Sequence, residues 1–227
     1  MKELTYIVIA AYNEEKSLPK VVKSLLNAGY KNIIAVDDGS VDNTYYAGLQ
    51  AGAIMLKHSV NRGQGAALKT GIDYALLAGA EIIVTFDADG QHRIEDLPSM
   101  ILPVAKGYVD ITLGSRFLRK TKVPLLRKIL LKGSIMVIWI FYGIKMTDAH
   151  NGFRAMSQKA AKKIDITCDR MAHASEIVEE IHKKKLRYKE ISIKIIYTDE
   201  TLKKGHGSYF GAVKILKDMV SKRLFGV

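Results

Sequence analysis

"EIIVTFDADGQH", residues 81–92, is the stretch on which the fold turns. A short run rich in Ile and Val breaks off into two aspartates one residue apart, Asp87 and Asp89, with Gly90, Gln91 and His92 close behind. Apolar runs of this length and composition are strands buried on both faces of a sheet. The same form recurs outward from it. "LTYIVIA" (4–10) leads into "AYNEE", "NIIAVDD" (32–38) into "GSVDNT" and "AIMLKH" (53–58) into "SVNRGQG"; "VDITLGS" (109–115) follows. The stretches between them, at about 15–28, 42–51, 64–79 and 93–106, read as helices.

Strands alternating with helices predict an α/β fold, a mostly parallel, Rossmann-like sheet with helices on both faces. Ligands of such sheets bind beyond the carboxyl ends of the strands. Four polar loops therefore converge on one rim. After residue 115 the pattern changes to a basic linker, an amphipathic-to-apolar stretch at 124–144 and "TDAHNGFRAMS" (147–157). A helix near 173–185, a strand near 188–197 and a C-terminal helix from about 208 complete the expectation. With 227 residues and no internal repeat, the chain is expected to form one domain, 1–227, with halves 1–115 and 116–227.

The single cysteine, Cys168, excludes an internal disulfide and a multi-cysteine zinc site, and fits a reducing, cytoplasmic setting. The opening "MKELTYIVIAAYNEE" lacks the long apolar core of a secretory leader and is read as a mature start. A net charge of +12 calls for an anionic partner. Much of the excess lies between Asp110 and Asp148, where there is no acid but eight cations, Arg116 and Arg127 among them. That segment also holds "GSIMVIWIFYGI" (133–144), with Trp139 and Tyr142. As a helix it would reach only about 18 Å, too short for a hydrocarbon core of about 30 Å. Such a helix can lie in a membrane interface, as can the C-terminal stretch from 208; the alternative is that both pack on the sheet.

Two carboxylates on one side of a strand end repel unless a cation or proton lies between them. A hard divalent ion, Mg²⁺ or Mn²⁺, fits Asp87 and Asp89, with the amide oxygen of Gln91 as a third ligand. An isolated D-x-D is also an ordinary solvated turn; the converging loops favour the metal reading. In "VDDGS", Asp37 or Asp38 is expected to accept hydrogen bonds from a nucleobase or ribose. "NRGQGAALKTG" resembles a glycine-rich phosphate loop opening a helix, without the spacing of a P-loop. The six histidines show no metal-binding pair and read as solvated or structural.

Taken in order, "IVIAAYNEE", "VDDGS", "NRGQGAAL", "FDADGQH", "GSR" and "NGFRA" resemble the family 2 glycosyltransferases of GT-A fold. Within them the likeness is to polyprenol-phosphate sugar transferases of the dolichol-phosphate mannose synthase type. The resemblance implies that residues 1–115 bind a nucleotide-sugar and 116–227 an acceptor. It places Ala11, Tyr12, Glu14, Asp37 and Asp38 at the nucleoside, and Asp87, Asp89 and Gln91 at a metal bridging the diphosphate. Arg116, Arg127, Arg154 and Lys204 of "LKKGHGS" fall to the acceptor phosphate, with Asp148 lining the cleft. Three positions depart from the family: Ala10 for proline, Gln64 where a lysine is common, and Asn151 for serine.

The implied reaction is inverting transfer of a hexose from a GDP- or UDP-sugar. A polyprenyl phosphate acceptor is already ionised near neutral pH, since its second pKa is about 6, and so needs cations rather than a base. A glycan hydroxyl would need its proton taken, with Asp148 the candidate. Catalysis is thus expected of Asp89, Asp148 and Arg116. The expected setting is the cytoplasmic face of a membrane, held peripherally or through a membrane partner protein. A nucleotidyltransferase would carry a glycine-rich, Arg-containing loop after the first strand, where "AAYNEE" stands. A nucleic-acid-binding protein would show an aromatic stacking set and no acidic rim, so no nucleic acid partner is expected.

Overall fold

The computed structural model describes residues 2–118, 146–148 and 151–196. The stretch 124–144, the C-terminal helix expected from 208, Arg127 and Lys204 lie outside the described residues. Strands β1 (Thr5–Ala11), β2 (Asn32–Asp37), β3 (Ile54–Lys57), β4 (Ile82–Asp87) and β5 (Ile111–Ser115) fall on the five apolar runs. Helices α1 (Leu18–Asn27), α2 (Thr44–Ala51), α3 (Gln64–Leu77) and α4 (Leu97–Ala105) alternate with them. There follow β6 (Arg154–Ser157), α5 (Gln158–Lys163), α6 (His173–Lys183) and β7 (Tyr188–Ser192). The sequence reading did not anticipate β6 and α5 as elements.

One seven-stranded sheet has the order β3-β2-β1-β4-β6-β5-β7. Its strands run parallel except β6, which is antiparallel to both β4 and β5. Alternation along the strands splits the core between the faces. Ile7, Ile9, Ile33, Val84 and Phe86 pack with Leu18, Val22 and Leu25 of α1 and Leu97 and Met100 of α4. Val8, Ile34, Val36, Ile83 and Ile111 pack on the other face with Leu68 and Ile72 of α3 and Ile177 and Ile181 of α6. Two-sided burial explains why the strand sequences carry no polar alternation.

Register places the site. Ala11 pairs with Asp37, and Ala10 with Asp87, so the carboxyl ends of β1, β2 and β4 reach one level. The chain leaves β1 for β2 and β3 on one side and for β4 on the other, which makes the β1/β4 end the switch point of the sheet. Because β6 is reversed, its first residue, Arg154, pairs with Thr85 and Leu113 near the same rim.

Helix α3 lies close on β1 because Gly71 has no side chain: a Cβ there would stand 2.4 Å from Cγ1 of Val8 and 3.2 Å from Cγ2 of Val36. Alanine raises helix propensity by about 1 kcal/mol, whereas overpacking against stiff, buried valines costs about 1–3 kcal/mol. Gly71→Ala is therefore expected to lower the urea midpoint with an unchanged m-value, and Gly71→Val to lower it further. A raised midpoint for Gly71→Ala would show that the helix can lift off the sheet at little cost.

Candidate active site

The strand ends and the following loops enclose a cavity of about 390 Å³, within the range of small-molecule sites. Ala11, Tyr12, Glu14 and Asp38 line one end, Asp87 and Asp89 the middle, and Gly152, Arg154, Met171 and His173 the other. Asn61, Gly63 and Gln64, before and at the start of α3, also line it. Of the expected site residues, Asp37, Gln91, Arg116 and Asp148 do not line the cavity.

At the first end, the loops after β1 and β2 are tied together: Asn13 N donates to Ser40 Oγ at 2.9 Å, and Val41 N to Asn13 Oδ1 at 3.1 Å. Tyr12 is half exposed at the mouth. Glu14 accepts from the hydroxyl of Ser17. Asp37 is buried, with Oδ1 accepting from Ser40 N at 3.0 Å. Asp38 is buried as well and organises the loop after β3. Its Oδ1 lies 2.7 Å from His58 Nδ1 and takes the Arg62 amide at 3.0 Å, while Oδ2 takes the Gly63 amide at 2.6 Å. Gly39, at φ +72°, permits this approach, because a Cβ there would meet the backbone of Val60 and Asn61 at 2.6 Å.

In the middle, Asp87 ends β4 and Asp89 sits in the turn beyond it, so the pair meets through a turn rather than through strand alternation. His92 Nε2 lies 2.8 Å from Asp87 Oδ2, and Gln64 Nε2 is 3.4 Å from Oδ1. Burial alone would raise the Asp87 carboxyl; His92, by charge and hydrogen bond, with Arg154 and His173 behind it, holds it below the ordinary range. Asp89 is pushed up to about 6, first by burial and then by the charge of Asp87. Gln91 braces it, the backbone amide at 2.9 Å from Oδ1 and Nε2 at 2.7 Å from Oδ2. One carboxylate that suppresses ionisation of its neighbour is a site short of positive charge, and all-oxygen donors suit a hard divalent ion. Among the described residues no group of three or more His, Cys, Asp or Glu forms a cage, so a cation here would complete its shell from Gln91, ligand or water.

At the far end, Gly152 lets the chain pass against Asp87, since a Cβ there would stand 2.5 Å from Oδ1. Arg154 is 1 % exposed, and among the described residues neither Nη1 nor Nη2 has a hydrogen-bond partner. Burial pulls its pKa down to about 10, against the support of Asp87 and Asp148. A buried guanidinium in this state, lining a cavity, would favour an anion beside it. Arg116 and Asp148, by contrast, are bound to each other: Nε and Nη2 of the arginine meet the two carboxylate oxygens at 2.6 and 2.7 Å, out of water. Asp148 Oδ2 also accepts the Arg116 amide at 3.1 Å.

The sequence reading took the six histidines as solvated or structural; two of them brace site carboxylates and a third lines the cavity. His58 braces Asp38 and His92 braces Asp87, wedged between Phe86 and Phe153 at 5.3 and 5.0 Å, while His173 lines the cavity. Only their tertiary neighbours distinguish them.

The family model described as Glycosyl transferase family 2 matches residues 6–165. An uncharacterized protein of Methanocaldococcus jannaschii is 39% identical over 99% of this chain and 94% of its own. A UDP-N-acetylglucosamine–dolichyl-phosphate N-acetylglucosaminyltransferase of Methanococcus voltae is 35% identical, covering 92% of each. Among solved structures, glucosyl-3-phosphoglycerate synthase from Mycobacterium tuberculosis, in complex with Mn²⁺, UDP and phosphoglyceric acid, superposes with a TM-score of 0.70. That match is 14% identical and covers 93% of this chain and 76% of the other. At that identity the likeness is one of fold, and the fold is GT-A.

A native carboxyl raised to about 6 from its ordinary 3.8 binds its proton more tightly than the unfolded chain does. The stability it contributes is full at pH values below the ordinary pKa and is lost as pH rises through about 6. Asp89→Asn is therefore expected to raise the Tm of metal-free protein near neutral pH by several degrees, about 1 kcal/mol being worth roughly 2–4 °C at this size. Near pH 4 the melting curves of variant and wild type should coincide. An unchanged or lowered Tm at neutral pH would mean that the two carboxylates do not repel.

Proposed function

The chain belongs to glycosyl transferase family 2, and on that premise we propose that it moves a hexose from a nucleotide-sugar to a polyprenyl phosphate. The carrying observation is that one cavity holds both a carboxylate pair short of positive charge and a buried arginine short of negative charge. A diphosphate donor with a phosphate acceptor answers both needs.

Tyr12, with its exposed ring, offers a stacking face for the base; Ala11 and Glu14 flank the ribose. Asp38 shapes the nucleoside end by holding the Arg62 and Gly63 amides in place. Asp87 and Asp89, with Gln91 beside them, would hold Mg²⁺ or Mn²⁺, which supplies Lewis-acid stabilisation to the departing nucleoside diphosphate. Arg154 draws the acceptor phosphate to the far end of the cavity, and attack on the face opposite the diphosphate inverts the anomeric carbon. Arg127 and Lys204 are proposed to add acceptor-side charge.

The state of the acids favours a phosphate over a glycan hydroxyl as acceptor. Of the acids lining the cavity, Asp38 is saturated by His58 and two amides, while Asp87 and Asp89 form the cation site. Glu14 belongs to the nucleoside end, and both oxygens of Asp148 accept from Arg116. None of these is placed to remove a hydroxyl proton, and an acceptor with a second pKa of about 6 does not require it. Arg116 then acts by fixing Asp148 and the segment after β5. No helix among the described residues is long and apolar enough to cross a membrane. A polyprenyl phosphate acceptor lies in a membrane, and on that ground we place the chain at its cytoplasmic surface, as a peripheral protein or bound to a membrane partner.

The test is nucleoside diphosphate release from UDP-N-acetylglucosamine, UDP-glucose and GDP-mannose, with Mn²⁺ or EDTA, and with or without dolichyl phosphate in micelles. Release is expected only with lipid phosphate and metal together. Asp89→Ala should abolish it, and near-normal turnover at saturating donor would refute the metal role. Arg154→Gln should cost about a hundredfold or more, the scale of losing one preorganised donor to developing charge. Release onto a sugar alcohol but not onto lipid phosphate would overturn the acceptor assignment.

A further inference from the structure

His173, the first residue of α6, lines the cavity yet has no part in holding metal or phosphate. Its Nδ1 is 2.9 Å from the carbonyl oxygen of Arg170. A carbonyl only accepts, so Nδ1 carries the hydrogen, and the neutral ring keeps its lone pair on Nε2. The neutral form is enforced, because burial and then the charge of Arg154 pull the pKa down to about 4. Among the described residues Nε2 meets no hydrogen-bonding group, and it is not sealed off as Nδ1 of His92 is.

A Cβ on Gly65 of α3 would come within 2.9 Å of the His173 Cβ and 2.0 Å of the Cys168 carbonyl, so the wall is packed against the start of α3. One turn along α6, Glu176 accepts the Thr167 and Cys168 amides at 3.0 and 2.9 Å and fixes the loop leading to it.

We infer that His173 reads the transferred sugar, its Nε2 accepting a hydrogen bond from a hydroxyl of the hexose. This rests on the transferase reading above. The sheet order β2-β1-β4-β6 sets out the ligand along the rim, with the nucleoside over β2 and β1, the diphosphate over β4 and the sugar toward β6 and α6. His173 and Arg154 then sort what reaches that end. A phosphate oxygen without a proton is repelled by the lone pair and attracted by the guanidinium, whereas a hydroxyl satisfies Nε2. A ring this weakly basic serves as a hydrogen-bond acceptor and not as a base for that hydroxyl.

The experiment compares calorimetric affinities of the full chain, in Mn²⁺, for UDP and GDP with those for UDP-N-acetylglucosamine, UDP-glucose and GDP-mannose. His173→Phe should leave nucleoside diphosphate affinity unchanged and weaken the preferred nucleotide-sugar about tenfold or more, the effect of one buried hydrogen bond left unmade. His173→Gln, which can return an acceptor oxygen, should recover part of the loss. Against monodeoxy analogues of that donor, wild type should lose the same factor at one position, and His173→Phe should lose nothing further there. Equal weakening of diphosphate and nucleotide-sugar, or no weakening of either, overturns the inference while leaving the transferase reading intact. A wild-type chain that binds none of these nucleotides overturns both.

Discussion

β6 runs against β4 and β5, and that reversal brings the start of a strand to a rim otherwise built from strand ends. The chain arrives there through Gly152, whose carbonyl accepts from Thr85 Oγ1 at 2.5 Å and whose missing side chain leaves Asp87 its space. Arg154 follows two residues later, buried with neither Nη partnered among the described residues. A parallel strand in the same slot would have put its first residue at the opposite edge of the sheet. The proximity of carboxylate and guanidinium in one cavity is thus a consequence of strand direction.

Buried charge is handled in two ways in this fold. Asp38 and the Arg116–Asp148 pair are satisfied internally, by amides, an imidazole or a two-pronged ion pair, and their work is to fix loops. Asp89 and Arg154 are left incomplete, one pushed up to about 6 and the other down to about 10. Groups that lose by being buried and are only partly compensated inside the chain are the groups a ligand can reward.

The central elements could be read from the sequence because apolar strand runs and turn residues are local signals. So could the family, because its motifs recur in order. β6 and α5 were not legible: "RAMS" is four residues long and begins with an arginine, so neither length nor periodicity marks it as a strand. Arg116 and Asp148 stand far apart in the chain, and nothing in their separate contexts announces that they bind each other. The same limit applies to the histidines. Asp87 and Asp89 drew notice through their spacing, while His92 depends on Phe86 and Phe153 closing around it, and His173 on a carbonyl three residues back.

Asp38 also begins a chain of contacts that crosses the whole site. It holds the Arg62 and Gly63 amides; Arg62 pairs with Asp169 at 3.2 Å; and the Asp169 carbonyl takes the Ala66 amide at 3.0 Å, just ahead of the wall that ends in His173. The loop after β2 and the wall before α6 are therefore tied to each other through the start of α3. On the proposed reading, donor preference would not be modular: a loop transplanted around residues 168–174 to change the sugar would arrive misaligned unless residues 61–66 travelled with it.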